Sequence, residues 1–175
     1  MRVSAIAVLA LLAHPAAAQW SGWDYDLDRP KEKLTEIEIK LPPYPRDEDL
    51  VEFDVSAASA DRFLVDEKAL SIGADGVVRY TLVIKTGRGA NNVSYEGMLC
   101  ALQQTKMYAT GGRNGTWMNA RDPQWRPIRP PSVLDPRHVL RRDYLCAGVS
   151  SNVPAASVDD VLRRIRYGPR EPMTN

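Results

Sequence analysis

Six arginines stand close together in the second half of the chain: Arg113, Arg121, Arg126, Arg129, Arg141 and Arg142, with Trp117 and Trp125 among the first four. A guanidinium is a planar, permanently charged fork that grips a carboxylate or phosphate through two parallel hydrogen bonds. The chemistry offered by this spacing is therefore recognition of an anion. The indole faces could add a stacking surface for a cation or a sugar ring, although tryptophans covered by arginine side chains are the plainer outcome of the same composition. Charge is also segregated along the chain. Residues 19–112 hold 11 Lys or Arg against 16 Asp or Glu, whereas residues 113–175 hold 11 Arg, no Lys and 6 acids, giving −5 and +5. Either the two halves face each other in the fold, or the arginines form an exposed face for an anionic partner.

Catalytic arrangements are harder to find. Beyond residue 18 there is a single histidine, His138, and there is no Gly-x-Ser-x-Gly elbow or Ser-x-x-Lys pair. One histidine and two cysteines expected to pair leave no ligand set for a zinc site. Asp47-Glu48-Asp49 lacks the alternating ligands and the glycine of an EF-hand loop, and reads as a solvated turn. Gly87-Arg88-Gly89-Ala90-Asn91-Asn92 lacks the third glycine of a phosphate-binding loop and leads into a strand, where such a loop needs a helix N-terminus. No metal, cofactor or nucleic-acid partner is expected. Carboxylates are plentiful, and glycoside hydrolysis needs only two of them at a suitable spacing, so a carboxylate-dependent hydrolase of a glycan or cell-wall substrate is the alternative.

The elements that must carry these residues are strands first and helices last. Glu36-Ile37-Glu38-Ile39-Lys40-Leu41 alternates as a half-buried strand does, and the prolines at 42, 43 and 45 end it. Further strands are expected over residues 51–55, 62–65, 69–72 and 77–86, the last two joined through Asp75-Gly76. Residues 93–102, 106–110 and 116–118 follow, with Asn114-Gly115 as a turn. In the strand at 77–86, Val78, Tyr80, Leu82 and Ile84 share a face. Residues 119–134 are too rich in proline for a helix or a central strand. Asp135 followed by Pro136 starts a helix that runs towards Cys146 with Val139, Leu140 and Tyr144 inward. Ser157 and Asp160 resemble a capping box for a second helix, in which Val158, Val161, Leu162 and Ile165 follow i, i+3, i+4, i+7 spacing up to Gly168-Pro169. The fold class is α+β, a mostly antiparallel β-sheet followed by two C-terminal helices.

The start of the chain is an address. Arg2, the apolar run over residues 3–13 and Ala16-Ala17-Ala18 have the order of a secretory signal peptide cleaved after Ala18. The remaining 157 residues suffice for one domain, expected over 19–168 with a frayed tail at 169–175, and contain no run long enough to span a membrane. An exported chain meets an oxidising compartment, where Cys100 and Cys146 are expected to form a disulfide.

Several longer blocks resemble the CNP-like domain family of exported proteins from Gram-negative bacteria. They are Trp23-Asp24-Tyr25-Asp26, Leu41-Pro42-Pro43-Tyr44-Pro45, residues 47–55, residues 75–82, Asn92-Val93-Ser94-Tyr95-Glu96-Gly97 with Cys100, and residues 121–128. The resemblance covers roughly residues 23–146. It implies a periplasmic address, a single domain and the pairing of Cys100 with Cys146, and it brings no assigned activity and no catalytic residue. The expected role is non-catalytic, binding an anionic envelope component or a protein partner. A third reading is an assembly factor whose exposed strand edge pairs with a client. The export reading predicts that protein recovered from a periplasmic fraction begins at Gln19 by intact-mass spectrometry; a membrane-bound form beginning at Met1 as the main species would contradict it.

Overall fold

The computed structural model describes residues 35–129, 135–147 and 151–168, which belong to one compact unit, Leu34–Asn175. The expected leader, the aromatic and acidic stretch up to residue 34 and the tail at 169–175 lie outside the described residues.

Eight strands form one antiparallel sheet: β1 (Leu50–Phe53), β2 (Arg62–Asp66), β3 (Ser71–Ile72), β4 (Val77–Lys85), β5 (Asn91–Leu99), β6 (Gln104–Gly111), β7 (Trp117–Asn119) and β8 (Arg126–Pro127). Their order is β1-β2-β4-β5-β6-β7, with β3 beside β4 and β8 beside β6. Tight turns make this order possible. Gly76 and Gly115 hold positive φ of 74° and 70° in the Asp75-Gly76 and Asn114-Gly115 turns, a conformation that costs a glycine nothing. After the sheet comes α1 (Pro136–Val139), capped by the Asp135 carboxylate accepting from the Arg137 amide at 3.1 Å. It widens into a π-helical turn, Leu140–Leu145, which ends where the Cys146 amide donates to the Arg141 carbonyl. A two-stranded ribbon, β9 (Cys146–Ala147) with β10 (Val153–Pro154), leads to α2 (Val158–Tyr167), where Ser157 Oγ accepts from the Asp160 amide at 3.1 Å. The fold is thus α+β, with the sheet preceding both helices.

The two faces of the sheet are covered by different parts of the chain. On one, Val78, Tyr80 and Leu82 of β4 pack with Phe53, Phe63, Leu140, Tyr144, Val161 and Ile165. Phe53 meets Phe63 and Tyr144 at centroid separations of 6.1 and 5.7 Å, which fastens the π-helical turn to the β1 edge. On the other face, Tyr95, Tyr108 and Ala109 are covered by Ile39, Leu41 and Trp117. Coverage on both sides explains why Val77 to Val83 are all buried, including Arg79.

Residues 36–41 depart from expectation. They carry no ladder, and Ile37 is 47% exposed, so the segment is an extended strap and not a strand. Its alternation is satisfied by face packing, with Ile39 and Leu41 turned onto the tyrosine cluster, while its polar groups are held by side chains. Glu36 takes Lys106 at 2.7 Å and the Tyr108 hydroxyl; the Ile37 amide donates to Asp75 at 3.1 Å; Trp117 Nε1 donates to the Pro42 carbonyl at 2.8 Å. Asp75 also forms a bidentate pair with the buried Arg79. Burial alone would raise the Asp75 pKa, but the bonds from Arg79 and from the Ile37 and Val77 amides outweigh it and bring the carboxyl down to about 2.

Cys100, just past β5, and Cys146 of β9 are joined by a disulfide with their Cα atoms 5.8 Å apart, inside the usual window. The bond ties the sheet to the C-terminal ribbon across 46 residues. Closing a loop of that length restricts the unfolded chain by about 4 kcal/mol. Replacing both cysteines with alanine is therefore expected to lower the unfolding free energy in urea by about 3–4 kcal/mol, and an unchanged midpoint would show that the bridge is not a stabilising constraint.

Candidate functional site

The C-terminal helices cover β1, β2 and β4 but leave the far side of the same face open. There, over β6 and β7, lies a groove of about 800 Å³. Its floor is built by Met107, Thr110 and Met118, one wall by residues 119–129, and the end by Pro136 and Arg137.

The wall exists because the chain leaves the sheet and returns to it. β7 pairs with β6 as far as Ala109 opposite Asn119, and β8 rejoins β6 at Thr105 opposite Arg126. Between these points Pro123 can donate no ladder bond, and the excursion is held at its start by the Ala120 amide on the Tyr108 carbonyl at 2.8 Å. Just beyond β8, the Ile128 amide reaches the Gln103 carbonyl at 3.0 Å. A β-bulge shapes the floor. The pairing of β5 with β6 passes from Tyr95 opposite Ala109 to Glu96 opposite Met107, leaving Tyr108 as the extra residue. Met107 thereby joins Glu96 in lining the groove, while Tyr108 joins the cluster beneath the strap.

At the back of the groove is a fully buried carboxylate. Glu96 accepts from Ser94 Oγ at 2.6 Å and from Tyr80 Oη at 3.1 Å, and both its oxygens are taken by Arg137, with Nε at 2.7 Å. Arg137 is also paired with Asp135 at 3.3 Å. Burial would lower the arginine's pKa, but the charge of Glu96 and its hydrogen bonds raise it on balance. Burial, and then the Glu96 charge, push the Tyr80 hydroxyl well above its ordinary value, so it serves as a neutral donor.

Of the six arginines singled out by sequence, three line the groove: Arg121, Arg126 and Arg129. Arg126 is paired with Asp122 at 3.3 Å, both side chains more than 60% exposed. Arg121 and Arg129 are exposed and make no ion pair with any described acid. The other three are elsewhere. Arg113 sits in the β6–β7 turn, and Arg142 forms a bidentate pair with its neighbour Asp143. Arg141 has to be removed from an exposed face: it is buried at 8% exposure and donates to the Ser151 carbonyl at 3.0 Å, because the wide π-helical turn brings four of its six residues into the interior. Nor do the charge halves simply neutralise each other. Glu96–Arg137 and Glu67–Arg166 cross between them, while Arg126, Arg142, Arg163 and Arg164 find acids nearby in sequence.

The tryptophans also separate. Trp117 is packed against Tyr44 and Tyr95, and Trp125 has the Lys106 ammonium 5.8 Å from its ring, so neither is stacked with the groove arginines. His138 is half-buried on α1 and does not line the groove; burial, with Arg141 and Arg142 nearby, lowers its pKa. Asp47 is paired with Lys85 at 2.8 Å and Asp49 with Arg46 at 2.7 Å. Among the described residues no cluster of three or more His, Cys, Asp or Glu could hold a metal ion, and no helix is long and apolar enough to cross a membrane. The residue that sequence reasoning missed is Glu96 with its partner Arg137. The available signal was strand alternation, which puts Glu96 on the same face as Met98, a charge where an apolar side chain is the rule.

Residues 29–166 match the CNP1-like family. The chain belongs to that family. Among curated proteins it is similar to Cryptic neisserial protein 1 of Neisseria gonorrhoeae (strain ATCC 700825 / FA 1090), with 28% identity over 157 aligned residues, covering 78% of this chain and 76% of the relative. No solved structure matches it. The matched span includes every groove residue named above, together with Cys100 and Cys146.

A buried charge pair is costly to break and much less costly to replace as a whole. Glu96→Leu alone should therefore destabilise the protein by about 3–5 kcal/mol, since it strands the Arg137 charge against Tyr80 and Ser94. The double variant Glu96→Leu/Arg137→Leu should recover a large part of that loss. Urea denaturation of the two single variants and the double variant measures the coupling, and strictly additive losses would show that the pair acts as two independent residues.

Proposed function

We propose that this CNP1-like protein is exported to the periplasm and serves there as a non-catalytic binding protein that holds an anionic component of the cell envelope in the β6–β7 groove. The observation that carries this reading is the pair of exposed guanidinium groups, Arg121 and Arg129, on a concave surface without acid partners among the described residues. Exposed cations on a concave wall are available for bidentate contacts with carboxylate or phosphate. The volume, about 800 Å³, falls in the range of ligand sites.

The acids of the groove favour binding over hydrolysis. Glu96 is fully buried behind Arg137 and Asp135 is paired with the same arginine, which leaves Asp122 as the one exposed acid among the described groove residues, where glycoside cleavage needs two. A carboxylate that must give up or take a proton during glycoside cleavage needs access to the substrate oxygen or to a water. Export is supported by the sequence of residues 1–18, and the Cys100–Cys146 disulfide is of the kind that persists in an oxidising compartment.

The test uses the mature, oxidised protein with two probes that lack acyl chains, fully deacylated lipopolysaccharide and soluble peptidoglycan fragments, titrated at low and at physiological salt. Binding of at least one probe should weaken as salt rises, and Arg121→Ala/Arg129→Ala should reduce affinity about tenfold or more, the loss expected from two charge-assisted hydrogen bonds. Absence of salt-sensitive binding to both probes, or binding indifferent to the two arginines, would overturn the proposal.

A further inference from the structure

Two of the few large apolar side chains that the described surface exposes are in this groove, Met107 at 37% and Met118 at 53%. They lie on neighbouring strands, next to the wall that carries the exposed Arg121 and Arg129, and Ala120 and Pro127 continue the apolar surface. A floor built only to hold a polyanion has no need of thioethers. Methionine is flexible and polarisable, and recurs where a surface must fit apolar ligands of variable shape. Its exposure here follows from the fold, because the bulge at Tyr108 turns Met107 to the open face and the C-terminal helices stop short of it. An apolar floor with cations along one rim is the complement of a molecule with a hydrocarbon body and an anionic end.

Building on the binding reading above, we propose that the groove takes a free single-chain amphiphile with a phosphate or carboxylate head, the head gripped by Arg121 and Arg129 and the chain laid over Met107 and Met118. The size of the groove favours one chain: about 800 Å³ lies within the range of sites for drug-sized ligands, and a single chain with its head group is a ligand of that size. Arg126 supplies a third cation if its weak, solvent-exposed pairing with Asp122 opens, at little cost for such a pair. Glu96 and Arg137 remain locked together behind the site and set the position of its end.

The experiment titrates dodecyl phosphate, below its micelle-forming concentration, into the mature oxidised protein by calorimetry. Inorganic phosphate and dodecyl maltoside serve as references that keep only the head or only the chain. Dodecyl phosphate is expected to bind at least about tenfold more tightly than either reference, since both halves of the groove contribute. Met107→Ser/Met118→Ser should abolish the preference for dodecyl phosphate over inorganic phosphate, and Arg121→Gln/Arg129→Gln its preference over dodecyl maltoside; all four side chains are exposed, and unchanged thermal unfolding verifies that the variants are folded. Equal affinity for dodecyl phosphate and inorganic phosphate, or methionine variants that bind like the parent, would overturn the inference. So would binding to phosphatidylglycerol vesicles with none to free dodecyl phosphate, which would indicate a membrane surface as the partner. If deacylated lipopolysaccharide or the peptidoglycan fragments bind through the arginines while dodecyl phosphate does not, the amphiphile falls and the anion-binding groove stands; if none of the three binds, both fall.

Discussion

The buried ion pair between Glu96 and Arg137 is the constraint around which the rest of the molecule is arranged. Glu96 lies at the centre of the sheet, opposite Tyr80 on one side and Met107 on the other, with no exposure to water. A carboxylate in that position is tolerable only with its oxygens fully engaged, and Ser94, Tyr80 and Arg137 together engage them. Because Arg137 comes from α1, satisfying the charge fixes where the C-terminal part of the chain meets the sheet. Tyr144 against Phe53 and the disulfide at Cys146 then hold that part on one side of the pair. On the other side the helices do not reach over β6 and β7, and among the described residues the groove is the result.

Coverage of the opposite face follows a different logic. The strap at 36–41 adds no strand to the sheet, and its hold depends on polar contacts of which Arg79 with Asp75 is buried and Glu36 with Lys106 and the Tyr108 hydroxyl is partly buried. Arg79 is 4% exposed, so Asp75 and Glu36 supply the charges it needs to be buried at all. Glycine at 97 leaves room for the Tyr108 ring, which a Cβ would strike. The sheet is thus covered on this face by polar anchoring around an aromatic patch, and on the other by apolar helix packing that stops halfway.

Membership of the CNP1-like family covers the sheet, the groove wall and most of α2. It assigns no chemistry, and the functional reading therefore rests on local physics: concavity, exposed cations without acid partners among the described residues, and exposed methionines beside them. Each of these is a small departure from what a surface built only for stability would show, where cations are interspersed with acids and large apolar groups are scattered singly. Their coincidence in one groove carries more than any of them alone.

Much of the local structure was written in the sequence. The alternation in β4, the turns at Asp75-Gly76 and Asn114-Gly115, the cap at Asp135 and the apolar spacing of α2 all act within a few residues, so their outcome hardly depends on the rest of the chain. Cys100 and Cys146, as the two cysteines of the chain, left one intramolecular pairing to make. What depended on distant partners was not legible in this way. Residues 36–41 alternate like a strand, but only the tertiary structure shows that they pack on a sheet face and join no ladder. Six arginines looked equivalent, and the fold sorted them: Arg141 went inside, Arg142 paired with Asp143, and Arg121 and Arg129 stayed open on the groove wall. Arg137 was drawn to Glu96 across 41 residues. Hydrophobic periodicity and turn chemistry are local and survive as sequence pattern, whereas the partner of a charge is decided by which surfaces the fold brings together, and that is a property of the folded chain alone.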